Sequence, residues 1–431
     1  MQLTDSVSSE LKKFFKNSFT RNVVTLFTGS ALAQVFPFLI TPVLGRLFTP
    51  IQFGIYGQVN SVMQVLGSSP GGRYGQAVVV PKSEDQARAL VHASFLVTII
   101  FTLVSGILLY LFDDSIRELL SANELGRWLL ITPVFVLLVG LQRPFNFWLV
   151  RKERYRALAL LKIVQTTSAG VLWLAFGFLK VDGGLILGYI GGWVVFTIAS
   201  FYFCFKNEIH LVSFDISTLW KSMKEYRDFP IYNATPIMLT EFSKQATIFL
   251  ITYLFTLEET GYYNMTRMLI YNPLTIFGMA FSQVYFQKIA ARQQEKISVQ
   301  SSMLKVTFLL LVFAALAIGI LHFWGTELFA FILGEEWAIS GRISEILIIS
   351  YALQFVVLPI STVLTAIKEV KLASVYPLVY FLAVGSLLFI PFTDFSEFIY
   401  WLTIAEVSAI VVFAISAVWA VRRYELRLRM G

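Results

Sequence analysis

The stretch LFTPIQFGIY at Leu47–Tyr56 returns as LFTLEETGYY at Leu254–Tyr263, with Leu, Phe, Thr, Gly and Tyr at matching places 207 positions apart. Each copy carries a helix-start signal. Thr49 or Thr256 can cap free N–H groups, and Gln52 or Glu259 three residues on completes a capping box. Pro50 falls at the first helical position, where its missing N–H costs nothing. A long apolar run ends just before each copy and another begins at once. The repeat therefore predicts a tight turn between two membrane helices, used twice, in a chain of two homologous halves.

Working outward, hydrophobic residues make up 57% of the 431 and charged residues 14%, with a mean hydropathy of +0.71. A soluble domain of this length could not hide so much apolar surface. About 20 apolar residues cross a bilayer as a helix. Twelve such runs follow, at 21–46, 51–80, 89–112, 126–149, 157–179, 184–205, 229–255, 260–286, 304–324, 339–366, 372–392 and 396–420. The fold class is all-α: a polytopic membrane protein of about 12 transmembrane helices. It divides into a segment 1–20, a six-helix bundle 21–205, a linker 206–228, a second six-helix bundle 229–420 and a basic tail 421–431.

The net charge of +7 is unevenly placed. Of 34 Lys and Arg, 24 fall on the N-terminus, the tail and one alternating set of loops, and only Arg46, Arg117, Arg127, Lys180 and Arg342 on the opposite set. That is the positive-inside asymmetry, which places both termini in the cytoplasm and argues against nucleic acid as partner. No apolar core follows the first basic residues, so a cleavable signal is not expected. Ser9–Phe19 reads either as a short amphipathic helix on an anionic surface or as a basic tail. Cys204 stands alone, and His92, His210 and His322 lack ligand spacing, so neither a disulfide nor a metal site is expected. No phosphate-binding loop sequence occurs, and no cofactor is implied.

Each half starts and ends on the same side, so the halves are parallel repeats around a central cavity, with helices 1 and 7 facing across it. Both leading helices carry prolines, Pro37 and Pro42 in one and Pro230 and Pro236 in the other. The second run passes Gly67, Pro70, Gly71 and Gly72 before Arg73, which predicts a broken helix. Lys152-Glu153 and Lys368-Glu369, 216 apart, read as a second, weaker echo. Asp113–Leu125 reads as the acidic outer loop of the first half.

Ionisable groups inside spans are expensive and mark pathways. Glu241 and Lys244, three apart near the middle of the seventh run, share a face. They read as a site for an anionic group or coupling proton, or as a structural ion pair. Arg267 either reaches the same cavity or snorkels outward; Arg73 follows the Gly-Gly break or anchors at the interface. Arg46 ends the first run. Arg143 and Lys162 read as snorkelling cations. Glu406, mid-span in the twelfth run, reads as a proton carrier or an interhelical hydrogen-bond acceptor. The aromatic residues read mostly as lipid-facing or interfacial.

The turn LFTPIQFGIYG and the stretch RYGQAVVVPKSEDQA (Arg73–Ala87) resemble Wzx-type polysaccharide flippases, within the superfamily of multidrug, oligosaccharidyl-lipid and polysaccharide exporters. The resemblance spans essentially the whole chain. It implies transport of an undecaprenyl-diphosphate-linked oligosaccharide from the cytoplasmic to the outer leaflet of a bacterial inner membrane. A V-shaped cavity would alternate between faces, driven by H+ or Na+. Lys244, Arg267, Arg73 and Arg46 would then meet the diphosphate, with Glu241 and Glu406 serving ion coupling or cavity pairing. A polysaccharide polymerase and a chain-length regulator are implied as partners. Relatives often carry an acid two positions after the equivalent of Arg73, where this chain has Gly75. A multidrug exporter would want an acid-rich cavity. A membrane polymerase or glycosyltransferase would want a larger outer loop, so a non-enzymatic transporter is expected. Neither the sugar unit nor the coupling ion is legible.

Overall fold

The computed structural model describes residues 33, 35–119, 123–206, 215–295, 297–369, 372 and 375–430. The amphipathic reading of Ser9–Phe19 lies outside them. Described elements are helical throughout: α1 (Val35–Leu47), α2 (Pro50–Gly67), α3 (Tyr74–Ala77), α4 (Glu84–Leu119), α5 (Thr132–Arg151), α6 (Tyr155–Phe178) and α7 (Gly184–Lys206). A connecting helix α8 (Ile216–Glu225) leads to α9 (Thr235–Leu254), α10 (Leu257–Thr266), α11 (Asn272–Gln294) and α12 (Gln300–Leu333). The chain then forms α13 (Ala338–Ala366), α14 (Val375–Gly385) and α15 (Phe395–Met430).

Among the described residues seven helices are long and apolar enough to cross a membrane. Where they are described, the other runs expected from sequence coincide with helices that are shorter, interrupted or more polar, such as α2, α9 and the α10–α11 pair. The protein is a multi-pass helical membrane bundle. Two compact units divide the chain: Met1–Ile40, Val59–Glu118 and Leu125–Glu241 as far as described, and Thr41–Gln58, Leu119–Glu124 and Phe242–Gly431 likewise.

Both repeat turns are capped as expected. Thr49 N–H donates to Gln52 Oε1 at 3.0 Å, and Thr256 N–H to Glu259 Oε2 at 2.9 Å with Glu259 N–H returning to Thr256 Oγ1 at 3.2 Å. Within the second unit the two copies also meet. A Cβ on Gly54 would stand 2.7 Å from the Leu257 carbonyl carbon and closer to its oxygen; one on Gly261 would stand 2.7 Å from the Pro50 carbonyl carbon. The glycines let α2 and α10 cross backbone to backbone, the close approach small residues allow between membrane helices. Asn264 donates to the Phe53 carbonyl at 3.2 Å. The buried Trp337 packs edge-on against Phe53 at 5.3 Å and donates to the Gly45 carbonyl at 2.7 Å.

Three sequence expectations shift. Asp113–Arg117 is not a loop: α4 runs on to Leu119, and Arg117 pairs with Asp113 at 3.1 Å and with Asp114. The Lys-Glu echo is one residue out of register. The turns after α5 and α13 share a Schellman pattern, Arg154 N–H to Leu149 O at 2.8 Å and Glu369 N–H to Leu364 O at 2.9 Å, with Glu153 and Lys368 at positive φ. The equivalent positions are thus 215 apart. Third, the run expected to end at 324 continues: α12 is kinked at Trp324, whose φ is −132°, and goes on to Leu333. Glu345 caps the restarted segment, accepting from Thr326 N–H at 2.9 Å and its hydroxyl at 2.7 Å, beside a Gly325–Gly341 close approach.

Candidate functional site

In the first unit the broken helix behaves as its glycines predict. α2 ends at Gly67, Gly72 and Arg73 both take positive φ (56° and 63°), and α3 starts at Tyr74. A membrane helix that stops here leaves carbonyls needing donors. Arg143, in α5, supplies them: its guanidinium donates to the Gly67 carbonyl at 3.0 Å and to the Ser68 carbonyl. It does not snorkel. Arg73 Nε donates to Ser69 Oγ at 3.0 Å. Arg73, Arg143 and Glu241 are close enough to act on one another electrostatically. Gly75 packs on α5, where a Cβ would lie 3.3 Å from Pro144 backbone atoms. An acidic side chain at that position would not fit without moving α5.

In the second unit proline and π geometry shape the site. Pro273 cannot donate to the carbonyl of Leu269, and the turn before it widens into a π-helical segment, Arg267–Tyr271, closed by Asn272 N–H to Arg267 O. The same widening, Phe229–Ala234, precedes Pro236 at the start of α9. Arg267 therefore sits at a break and faces a polar, tyrosine-rich cluster. Its Nη1 donates to Gln245 Oε1 at 3.4 Å, and its guanidinium lies 5.4 Å from the Tyr271 ring centre. Tyr271 packs 5.2 Å from Tyr351. Glu406, 6% exposed, accepts from Ser350 Oγ at 2.5 Å and from Tyr380 Oη at 3.2 Å. Tyr380 Oη lies 3.3 Å from Thr247 Oγ1, and Gln354 donates to Tyr376 Oη at 3.1 Å. Arg267 acts electrostatically on Glu406.

The structure thus brings Arg267 to Glu406 in one unit, and Arg73 to Glu241 in the other. Glu241 and the exposed Lys244 stand one turn apart on α9. Arg46 is elsewhere in its unit, donating to the Phe331 carbonyl at 3.3 Å near the end of α12, a favoured place for a cation. Sequence reasoning missed Arg143 as a partner of the break, and missed Tyr351, Tyr376 and Tyr380. The available signal was the placing of hydroxylated rather than plain aromatic rings mid-span, where each hydroxyl needs a partner. Lys162 donates to Gln165 Oε1 at 2.9 Å, one turn along its own helix. No cluster of three metal-ligating side chains occurs among the described residues.

A relative from Erwinia amylovora, the amylovoran biosynthesis protein AmsL, is 24% identical over 231 residues, 52% of this chain and 58% of the relative. The chain thus spans little more than half the length of that relative. Among solved structures, the lipid II flippase MurJ in an inward closed conformation superposes with a TM-score of 0.71 at 13% identity, over 93% of this chain and 90% of MurJ. An inward-facing multidrug resistance MATE family transporter of the MOP superfamily gives 0.63 at 15% identity, over 94% and 96%. At such identities these establish the fold, that of MOP-superfamily transporters. The likeness to Wzx-type flippases read from the repeat turn and from Arg73–Ala87 agrees with the AmsL relative and with the family match. The family described as polysaccharide biosynthesis protein matches residues 43–341, and with most of its length so matched, this chain belongs to that family.

Proposed function

We propose that the protein is a flippase. It carries an undecaprenyl-diphosphate-linked oligosaccharide repeat unit from the cytoplasmic to the outer leaflet of the bacterial inner membrane by alternating access. The observation that carries the reading is that cations stand at breaks in membrane helices. Arg73 follows a left-handed turn and Arg267 opens a π-widened one. Such breaks are tolerated in a membrane where they line a polar path, and they aim backbone and side-chain donors at an anion. A diphosphate wants forked, permanently charged donors, which arginine supplies. The cations proposed to meet the diphosphate are Arg73 in one unit and Arg267, Lys244 and Arg46 in the other. Glu406, among hydroxyl donors and under the field of Arg267, suits exchange of H+ or Na+ with transport, and Glu241 serves the same role or pairs with the cations.

In this reading 21–205 and 229–420 are the two six-helix halves, joined by 206–228. Segment 1–20 and the tail 421–431 are cytoplasmic. The protein does no covalent chemistry itself; a polymerase and a chain-length regulator would receive its product. The test uses cells lacking the gene, converted to spheroplasts and probed with an external glycosidase or lectin. Lipid-linked single units that accumulate shielded inside support translocation. Units that accumulate exposed outside would mean that the missing step is polymerisation, and would overturn the reading.

A further inference from the structure

The connecting helix α8 has one face fully accounted for and another that is not. Asp215 caps it, accepting from the Ser217 and Thr218 N–H groups at 3.0 Å each. Leu219 and Ser222 are buried, and the Met223 carbonyl accepts from Tyr74 Oη at 3.2 Å, so this side is docked on the first unit. Flanking that buried side, Ile216 and Trp220 stand one turn apart and are each 60% exposed. Lys224 continues the same ridge one turn further, with Lys221 beside it and Arg227 just beyond the helix. Among the described residues none of the three cations forms an ion pair. Of the acids close by, Asp215 is engaged with its own helix and Glu225 accepts from Gln86 at 3.4 Å, while Asp228 lies past the C-terminal end.

We propose that α8 is a membrane-interface anchor that seats Ile216 and Trp220 at the acyl boundary and presents Lys221 and Lys224 to anionic lipid headgroups. Tryptophan with one apolar body and one N–H, flanked by lysines whose stems can lie along apolar surface, is the pairing that partitions to that zone. A membrane-length helix ends at Lys206 and the next long helical segment begins at Phe229, so α8, about 15 Å long, belongs to the connection that follows a membrane-length helix. The lipid surface is therefore the partner already within reach. This proposal goes beyond the transport reading and does not depend on which substrate is carried.

The test uses the full chain in nanodiscs of zwitterionic lipid alone or mixed with phosphatidylglycerol. Trp220→Cys carries an environment-sensitive fluorophore, and Glu225→Cys serves as the water-facing reference. The unaltered chain sets the background from buried Cys204. The label at 220 should be quenched by lipids brominated high in the acyl chain, and the label at 225 should not. Brominated phosphatidylglycerol should quench in preference to brominated zwitterionic lipid. Lys221→Gln and Lys224→Gln should each cut that preference by about five-fold, as expected for one lysine near an anionic surface. A label at 220 that reports water in both discs overturns the proposal. So does a label that is shielded yet untouched by brominated lipid, which would mean a protein surface covers the face. Quenching with no anionic preference, unchanged by loss of the lysines, overturns the headgroup assignment.

Discussion

Gly54→Ala is the substitution on which the reading of the repeated turn depends most. The added Cβ would stand 2.7 Å from the Leu257 carbonyl carbon, closer still to its oxygen, and 3.2 Å from the Gly261 nitrogen. All three are backbone atoms of α10, so no side chain can swing aside and the helices must part. Parting them also stretches the Asn264–Phe53 hydrogen bond and loosens Trp337 on Phe53. Overpacking of this kind costs about 1–3 kcal/mol and occasionally more. Alanine also stabilises a helix by about 0.5–1 kcal/mol relative to glycine, which would mask part of the cost. Gly319→Ala removes that ambiguity. It lies inside α12 with nothing within 4 Å of its Cβ, so it carries the backbone gain alone. The difference between the two variants isolates the steric cost, and it should reach about 1–3 kcal/mol against Gly54→Ala. Denaturant or thermal unfolding of the detergent-solubilised proteins, followed by the fraction surviving size exclusion, measures it. Adding Gly261→Ala should cost less than the sum of the singles, because one separation relieves both clashes. Equal stability of Gly54→Ala and Gly319→Ala would refute the backbone crossing.

Arg143→Ala should cost about 1–3 kcal/mol by leaving the Gly67 and Ser68 carbonyls without their donor, and Arg143→Lys should recover only part of it; unfolding in detergent reads both. Glu345→Ala removes the cap from the segment restarted after Trp324 and should cost about 0.5–2 kcal/mol, with faster amide exchange at Thr326, whereas Glu345→Gln should keep most of the cap. The Asp215 carboxyl is held below its ordinary range by the Thr218 hydroxyl first, then by the Thr218 and Ser217 amides. A depressed folded value means its contribution is complete above the ordinary aspartate pKa of about 3.9 and is lost as pH falls through the folded value. Amide exchange at Ser217 and Thr218 should therefore rise on acidification below about pH 4 beyond its intrinsic pH dependence, and Asp215→Asn, which keeps an acceptor oxygen but cannot titrate, should abolish that excess.

Much of this architecture is legible because membrane helices announce themselves by length and apolarity, and their ends by capping chemistry. Thr49, Gln52, Thr256 and Glu259 do in the structure what their spacing predicts. The break at Gly71–Arg73 was legible for the same reason, since few sequences but glycine-rich ones accept consecutive positive φ values. What was hidden is what a second chain segment supplies. Arg143, two turns from the end of α5, looks like any cation able to snorkel; only the fold brings the orphaned Gly67 and Ser68 carbonyls to it. The tyrosines around Glu406 come from α13 and α14, separated in sequence by a turn whose register had itself slipped by one residue in the reading of Lys368. Most telling is the repeat. Its glycines recur in both copies of a stretch read as a turn, yet neither Gly54 nor Gly261 has the positive φ that a turn would demand. Both lie inside helices, and the absence of a side chain is used there for contact with the other copy. A motif that recurs because its copies touch cannot be told, from sequence alone, from one that recurs because each copy needs it locally. The substitution at Gly54 tells them apart, because a local helical requirement would favour alanine and a crossing forbids it.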